Sequence, residues 1–284
     1  MYNIVFQQLI DNVNSPNPYR AVCEQCFGLC CVALPYAKSA DFAFNKDGGT
    51  PCHHLQADYR CGIHQQLRSS GLRGCTVYEC FGAGQKVSRM TYNGKNWRDN
   101  PELAKEMFDV LPVMQQLHEM LYYLTEALSL EDTHPIYEQL QKAIVETEQL
   151  TNLNTTTLLE LHVPTHRAFV NDLLLQTSEL VRAKVKIGPQ HSKIIRGRDC
   201  IGAKLKGASL KGANLRGVLF IAADLRQADM RKTDLIGADL RDADLSGANL
   251  IGSIFLTQAQ VNSANGDRKT QLPSALTIPA HWLE

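Results

Sequence analysis

The sequence predicts a multi-domain α+β chain: a Cys-rich metal-binding module, a central helical bundle and a solenoid of five-residue repeats. These are expected over 1–96, 97–190 and 191–284, with a C-terminal cap from about 257. Three observations carry this reading. Eight of the nine cysteines fall between Cys23 and Cys80. From Pro101 onward apolar residues recur every three or four positions, and from Cys200 to Phe255 every fifth residue is large and apolar.

The cysteine pattern is Cys23-x2-Cys26-x3-Cys30-Cys31, then Cys52, Cys61-Gly-Ile-His64, Cys75 and Cys80. The segment Met1 to Arg20 has no basic stretch followed by an apolar core, so no secretory signal is expected. No run of about 18 apolar residues appears, so no membrane span is expected either. A cytoplasmic chain is the expectation, and there dense cysteine reads as metal binding rather than disulfides. Two thiolates on a Cys-x2-Cys turn can approach one ion, and their softness favours zinc or an iron–sulfur cluster. The side chains of neighbouring Cys30 and Cys31 diverge, which suits different metals or different positions of one cluster. Eight thiols fit two four-ligand sites or one cluster with spare thiols, and redox-active thiols and structural disulfides are the alternatives to metal.

The candidate metal ligands are therefore Cys23, Cys26, Cys30, Cys31, Cys52, Cys61, Cys75 and Cys80, with His64 next because it lies three residues from Cys61. His53 and His54 adjoin Cys52 and come after it. The run Phe81-Gly-Ala-Gly-Gln-Lys86 lacks the spacing and the Lys-Ser/Thr ending of a phosphate loop, so a tight turn suffices. Residues 20 to 90 resemble the CxxCxxCC family of zinc- or iron-chelating domains, some members of which are linked to flagellin lysine methylation. The chain departs from that pattern where three residues, Phe27 to Leu29, separate Cys26 from Cys30.

Leu103, Met107, Leu111, Met114, Leu117, Leu121 and Leu124 mark one face of an amphipathic helix. Asn100 before Pro101 reads as an N-cap with proline in the first turn, and Pro112 is expected to kink the helix. Further helices are expected over Pro135 to Leu150 and Thr155 to Val185, the last interrupted at Pro164.

In the solenoid the apolar column runs Cys200, Leu205, Leu210, Leu215, Phe220, Leu225, Met230, Leu235, Leu240, Leu245, Leu250, Phe255. A small residue stands two places before most of these, and Asp or Asn stands between, giving A-(D/N)-L-x-x. Repeat units bury their apolar face only against their neighbours. The unit resembles the pentapeptide-repeat proteins, and the resemblance implies a right-handed, four-sided β-helix with four repeats per coil. Twelve repeats then make about three coils, about 14 Å tall at the strand spacing. Cys200 is in phase with the inward column and is expected to be buried. The tail ending His281-Trp282-Leu283-Glu284 is expected to cap the last coil with Trp282 as its anchor.

Lys206 is expected beneath Arg226, and Lys211 beneath Arg231. From Lys193 to Leu250 eleven Lys and Arg stand against seven Asp, a balance of +4. The resemblance implies a context of topoisomerase protection, antibiotic resistance or self-immunity, since relatives that resist quinolones imitate DNA toward gyrase. That imitation needs a long negative rod, so the sign of the field disfavours it here. Zero net charge, 29 basic against 29 acidic residues, gives no support for general nucleic-acid binding. Ile201, Leu219 and Ile221 should share one outward face, predicted to pack on the helical region or on a second copy in a homodimer. Ile236 and Leu256, beside Ile254, form a second stack expected to receive the tail. The leading reading is a non-enzymatic scaffold for an unidentified protein partner, with an N-terminal zinc or iron–sulfur site. The competing reading is an iron–sulfur redox sensor or enzyme whose candidates are His64 and Glu79; otherwise no catalytic residue stands out.

Overall fold

The longest helix buries its apolar stripe from Met107 onward and contributes much of the core of the N-terminal unit. The computed structural model describes residues 17–185 and 197–283. The boundary expected at 190/191, Lys193 in the charge count and most of the Met1 to Arg20 segment lie outside the described residues. The chain divides into two compact units, Met1–Cys75 with Glu79–Leu174 and Thr76–Tyr78 with Leu175–Glu284.

In the first unit short helices α1 (Leu29–Ala33), α2 (Arg73–Val77) and α3 (Ala83–Lys86) punctuate a Cys-rich segment with little other regular structure. Helix α4 (Pro101–Ser129) follows, then α5 (Tyr137–Thr151), α6 (Thr155–Leu159) and α7 (Val163–Ala183), whose last residues belong to the second unit. Met107, Leu111, Met114, Leu117, Leu121 and Leu124 of α4 are buried as the periodicity predicts, while Leu103 is half-buried. Helix α4 packs on α1, α3, α5 and α6. It runs unbroken through Pro112. Asn100 occupies the N-cap position without a side-chain cap bond, and its Nδ2 instead donates to the Asn96 carbonyl at 3.0 Å. The helix expected over Thr155 to Val185 is split in two, with Pro164 in the first turn of α7, where its missing N–H costs nothing.

The second unit holds the repeats, and here the expected β-helix is corrected. Among the described residues there is no strand, because β pairing is confined to isolated one-residue bridges, and the regular secondary structure is mostly helical. The reason lies in the five-residue period. Each repeat spends two residues on a turn closed by a backbone bond such as Ala208 N to Leu205 O at 3.0 Å or Ala228 N to Leu225 O at 3.1 Å. Only one residue per repeat is left to bridge. Those bridges join residues 20 apart, as in Lys204 with Asp224, Asp224 with Asp244 and Asp234 with Ile254. The repeats are therefore stacked turns, with Leu210, Leu215, Phe220, Leu225, Met230 and Leu235 fully buried between them. Cys200 joins that core.

The second turn residue takes a positive φ in every repeat, the condition of a type II turn. Glycine supplies it at Gly202, Gly207, Gly212 and Gly217, but Ala222, Gln227, Lys232 and Asp242 also adopt it, with φ of 54°, 58°, 51° and 59°. One ion pair lies inside, with Arg216 Nη1 3.0 Å from Asp234 Oδ2 and both side chains almost wholly buried. The bridge spacing widens to 21 at Asp244 with Asn265 and to 22 at Asn249 with Gln271. Helix α8 (Gln258–Ser263), opened by a Thr257/Gln260 capping box, occupies this end. Trp282 closes it, buried against Gly266 and donating Nε1–H to the Ala264 carbonyl at 3.0 Å.

Ile201 is 54% and Leu219 36% exposed, and Ile221 is half-buried. In the second stack Ile254 and Leu256 are buried and Ile236 is half-buried.

Two outcomes follow from the turn geometry and the core. Ala222→Gly relieves a left-handed alanine and should raise stability by about 1 kcal/mol in denaturant unfolding. Leu225→Asp buries a charge with no partner in the column and should abolish cooperative unfolding of the repeats, read by circular dichroism.

Candidate functional site

All eight cysteines between Cys23 and Cys80 belong to the N-terminal unit, in a segment held by backbone bonds and by side chains that bond its backbone. Cys23 opens a 3-10 turn, and Cys26 closes it by donating its N–H to the Cys23 carbonyl at 3.2 Å. Gly28, at φ 65°, then starts α1; a Cβ there would meet Leu55 Cδ1 at 2.7 Å and the Tyr59 carbonyl at 2.8 Å. Leu29 and Val32 anchor α1 in the core, leaving Cys30 exposed and Cys31 half-buried. Residues 22 to 28 are laced to the chain after Cys80. Val22 N donates to Gln85 Oε1 at 2.7 Å, Phe27 N to Ser88 Oγ at 3.0 Å, and Arg89 Nε to the Gln25 carbonyl at 3.2 Å. Trp97 Nε1 holds the Phe27 carbonyl at 2.8 Å.

Helix α4 fixes Cys80 from both sides. Gln115 Nε2 donates to the Glu79 carbonyl at 2.8 Å, and one turn later His118 Nδ1 bonds the Phe81 carbonyl at 2.8 Å. Because a carbonyl only accepts, the proton of neutral His118 sits on Nδ1. Gly84 lets Cys26 and Cys80 approach: a Cβ there would lie 2.7 Å from Cys26 Sγ and 4.0 Å from Cys80 Sγ.

The segments carrying the remaining thiols are linked mainly through their backbone. Cys52 N donates to the Cys31 carbonyl at 2.9 Å. Leu55, whose N–H bonds the Cys52 carbonyl at 2.9 Å, bridges to Cys61. Tyr36 Oη lies 3.6 Å from Cys52 Sγ, and its ring stacks on Phe42 at 4.2 Å. Phe42 in turn packs on Gly74, beside Cys75. Lys46, a buried ammonium, binds the carbonyls of Val32, Asp47 and Thr50 at 3.1, 3.1 and 3.0 Å.

Burial pushes the thiols of Cys23, Cys26 and Cys61 up, Cys75 to about 12 and Cys80 to about 11. Cys31 goes the other way, lowered first by its hydrogen bond with Cys30 and then by the nearby Lys46 charge, while Cys30 is raised by the same bond. Burial also raises Glu79 and lowers Lys46. Protonated thiols in a crowded, desolvated segment are the state that a divalent cation discharges, releasing protons as it binds.

All nine cysteines are free thiols, and no disulfide forms among the described residues. Nor does any group of three or more His, Cys, Asp or Glu among them stand arranged to hold a metal ion. The donor chemistry fits zinc or iron–sulfur ligation. His64 begins a 3-10 turn, its N–H bonded to the Cys61 carbonyl at 3.3 Å. His53 stacks between Phe44 and His54 at 4.4 and 3.9 Å. The run from Phe81 to Lys86, expected as a tight turn, is instead the start of a helix, with Gly82 at φ 80° as the N-cap of α3. Lys46, Tyr36, Gln115 and His118 were not singled out by the sequence reading. His118 had a visible signal, as a polar residue inside the apolar stripe of α4.

The repeat segment defines the class: the family described as Pentapeptide repeats (8 copies) matches residues 199–235 and 219–255. A pentapeptide repeat protein from the thylakoid lumen of Arabidopsis thaliana is 26% identical over 32% of this chain and 68% of its own, with a TM-score of 0.17. The similarity to a Bacillus relative reaches much further. The chain belongs to the family of the "Uncharacterized protein YybG" of Bacillus subtilis (strain 168), being 68% identical over 262 residues, 92% of this chain and 94% of the relative. No helix among the described residues is long and apolar enough to cross a membrane.

Burial holds His118 down to about 4 from an ordinary 6.5, with the Lys86 charge acting the same way and the Phe81 bond opposing. The unfolded chain takes up this proton first, so the stabilisation is present above pH 6.5 and is lost as pH falls toward 4. The loss amounts to about 3 kcal/mol. In denaturant unfolding followed across that window, His118→Gln should flatten the decline.

Proposed function

We propose that this pentapeptide-repeat protein is a non-enzymatic scaffold whose N-terminal unit binds zinc or an iron–sulfur cluster through its cysteines. What supports the reading is the presence of eight free thiols in one segment, Cys23 to Cys80, on a backbone tied down by Gln85, Ser88, Trp97, Gln115 and His118. Such a donor set is soft, and bound metal would supply folding energy to a segment with little regular structure. The repeats would serve as the platform for a protein partner in the cytoplasm.

The platform's charges argue against DNA imitation. Arg226, Arg231 and Arg241 each bond the Asp two residues earlier, at 2.6, 2.6 and 2.7 Å, so acidic and basic groups cancel locally instead of forming a negative rod. Antibiotic resistance or self-immunity remains the biological context that the repeat resemblance implies. The second reading, a redox sensor or enzyme, is favoured by one feature, the lowered thiol of Cys31 beside Lys46, since the thiolate is the reactive form.

Metal analysis with an absorption spectrum, on protein purified without oxygen, tests the proposal. Zinc in a colourless protein supports the scaffold with a structural site. Iron with sulfide and a broad visible band supports a cluster and turns attention to redox chemistry. Protein free of both metals after reconstitution overturns the metal reading.

A further inference from the structure

Gly84 lies inside α3 without a positive φ, so nothing in its backbone conformation calls for glycine. Glycine makes a helix less stable than alanine does. The space that a side chain would take is instead occupied by sulfur. A Cβ here would lie 2.7 Å from Cys26 Sγ, 3.6 Å from Cys26 Cβ and 4.0 Å from Cys80 Sγ. Two half-buried thiols far apart in the sequence thus converge on one point. The backbones behind them are fixed. Val22 and Phe27, on either side of Cys26, donate N–H groups to Gln85 Oε1 at 2.7 Å and Ser88 Oγ at 3.0 Å, and Arg89 Nε holds the Gln25 carbonyl at 3.2 Å. Gln115 and His118 of α4 bond the Glu79 and Phe81 carbonyls that flank Cys80. Cys30 and Cys31 also meet, through a thiol hydrogen bond. They are neighbours on α1, however, with Cα atoms about 3.8 Å apart, whereas a disulfide needs roughly 4.4 to 6.8 Å. Joining them would distort a helix that Leu29 and Val32 anchor in the core.

We propose that Cys26 and Cys80 are a redox pair that closes into a disulfide when hydrogen peroxide reaches them, with Gly84 leaving the room their sulfurs need. One sulfur, as thiolate, attacks the peroxide: an S–O bond forms, the O–O bond breaks, and the departing oxygen takes the thiol proton and leaves as water. The second sulfur then attacks the sulfenic acid, forming the S–S bond and expelling hydroxide, which leaves as water with the second thiol proton. Two thiols and one peroxide become one disulfide and two waters; both sulfurs are oxidised and both peroxide oxygens reduced. Burial raises both thiols, so the first step is slow. The second step is fast, because the attacking thiol already stands alongside, and the sulfenic acid does not accumulate. The bond ties the turn before α1 to α3 and withdraws two of the candidate metal ligands. It stands apart from the metal reading, since it asks only for two reduced thiols.

The test uses the full-length chain, reduced, stripped of metal with a chelator and kept without oxygen. Metal content is measured before stripping, so the metal reading is judged separately. Dilute hydrogen peroxide is added, the remaining thiols are blocked with N-ethylmaleimide, and the unreduced digest is read by mass spectrometry with fragmentation to place each link. The first link should join Cys26 to Cys80 while the other cysteines are alkylated. Cys26→Ser and Cys80→Ser should each abolish it. Gly84→Ala keeps both thiols but sets a methyl group against Cys26 Sγ, and it should slow the link about tenfold by displacing that sulfur. A first product joining Cys30 to Cys31 or Cys23 to Cys26, a wild-type chain in which every cysteine is alkylated, or Gly84→Ala reacting at the wild-type rate would overturn the proposal.

Discussion

A cysteine-rich segment with little regular structure has to find partners for its buried backbone groups, and in this protein side chains provide them. Buried N–H and C=O groups left unpaired are costly. Lys46 takes three carbonyls, Trp97 one, and Gln115 and His118 the two that flank Cys80. Each of these bonds fixes a stretch of chain that carries a thiol. The arrangement of cysteines therefore follows from the helices behind it, since α4, buried against α1, α3, α5 and α6, is the rigid body from which two of the restraints project. Sites set on a rigid frame in this way hold their ligands more closely than free loops do.

The repeat unit solves the same backbone problem differently. A turn every five residues closes one bond locally, and the bridging residue finds its partner 20 residues away. Pairing never extends along the chain for two residues in a row, so stacking takes the place of a sheet. The apolar column, read from the sequence as one large residue in five, is what the stack encloses, and Leu210 to Leu250 lie within it without exposure to solvent.

Much of this was legible from residues alone, and what was missed has physical causes. The five-residue period located the column, the burial of Cys200 and the closing role of Trp282, because burial follows periodicity directly. The same period was overextended into β structure, since a 20-residue repeat distance does not say how many residues of each repeat are paired. The stripe on α4 was readable because helical spacing is regular. In the cysteine segment the residue types pointed to metal chemistry, but the restraints from Lys46, Gln115 and His118 join positions tens of residues apart and leave no local signature. Gly84 illustrates the limit: a glycine in a glycine-rich run looks like a turn, and only its place against Cys26 and Cys80 reveals why it carries no side chain.

The surface ion pairs of the repeats bear on how such a chain changes length in evolution. Arg231 with Asp229 and Arg241 with Asp239 are closed within single repeats, whereas Arg226 bonds Asp224 of its own repeat and also lies 3.8 Å from Asp244, 20 residues on from Asp224. Duplicating or deleting a block of 20 residues there carries each pair along intact and leaves every inward residue in phase. The pair of Arg216 with Asp234 is buried and spans 18 residues. An insertion between its members would strand two charges in the core. Lengthening is thus penalised between Arg216 and Asp234 and tolerated outside that interval, so natural variation in repeat number should accumulate there.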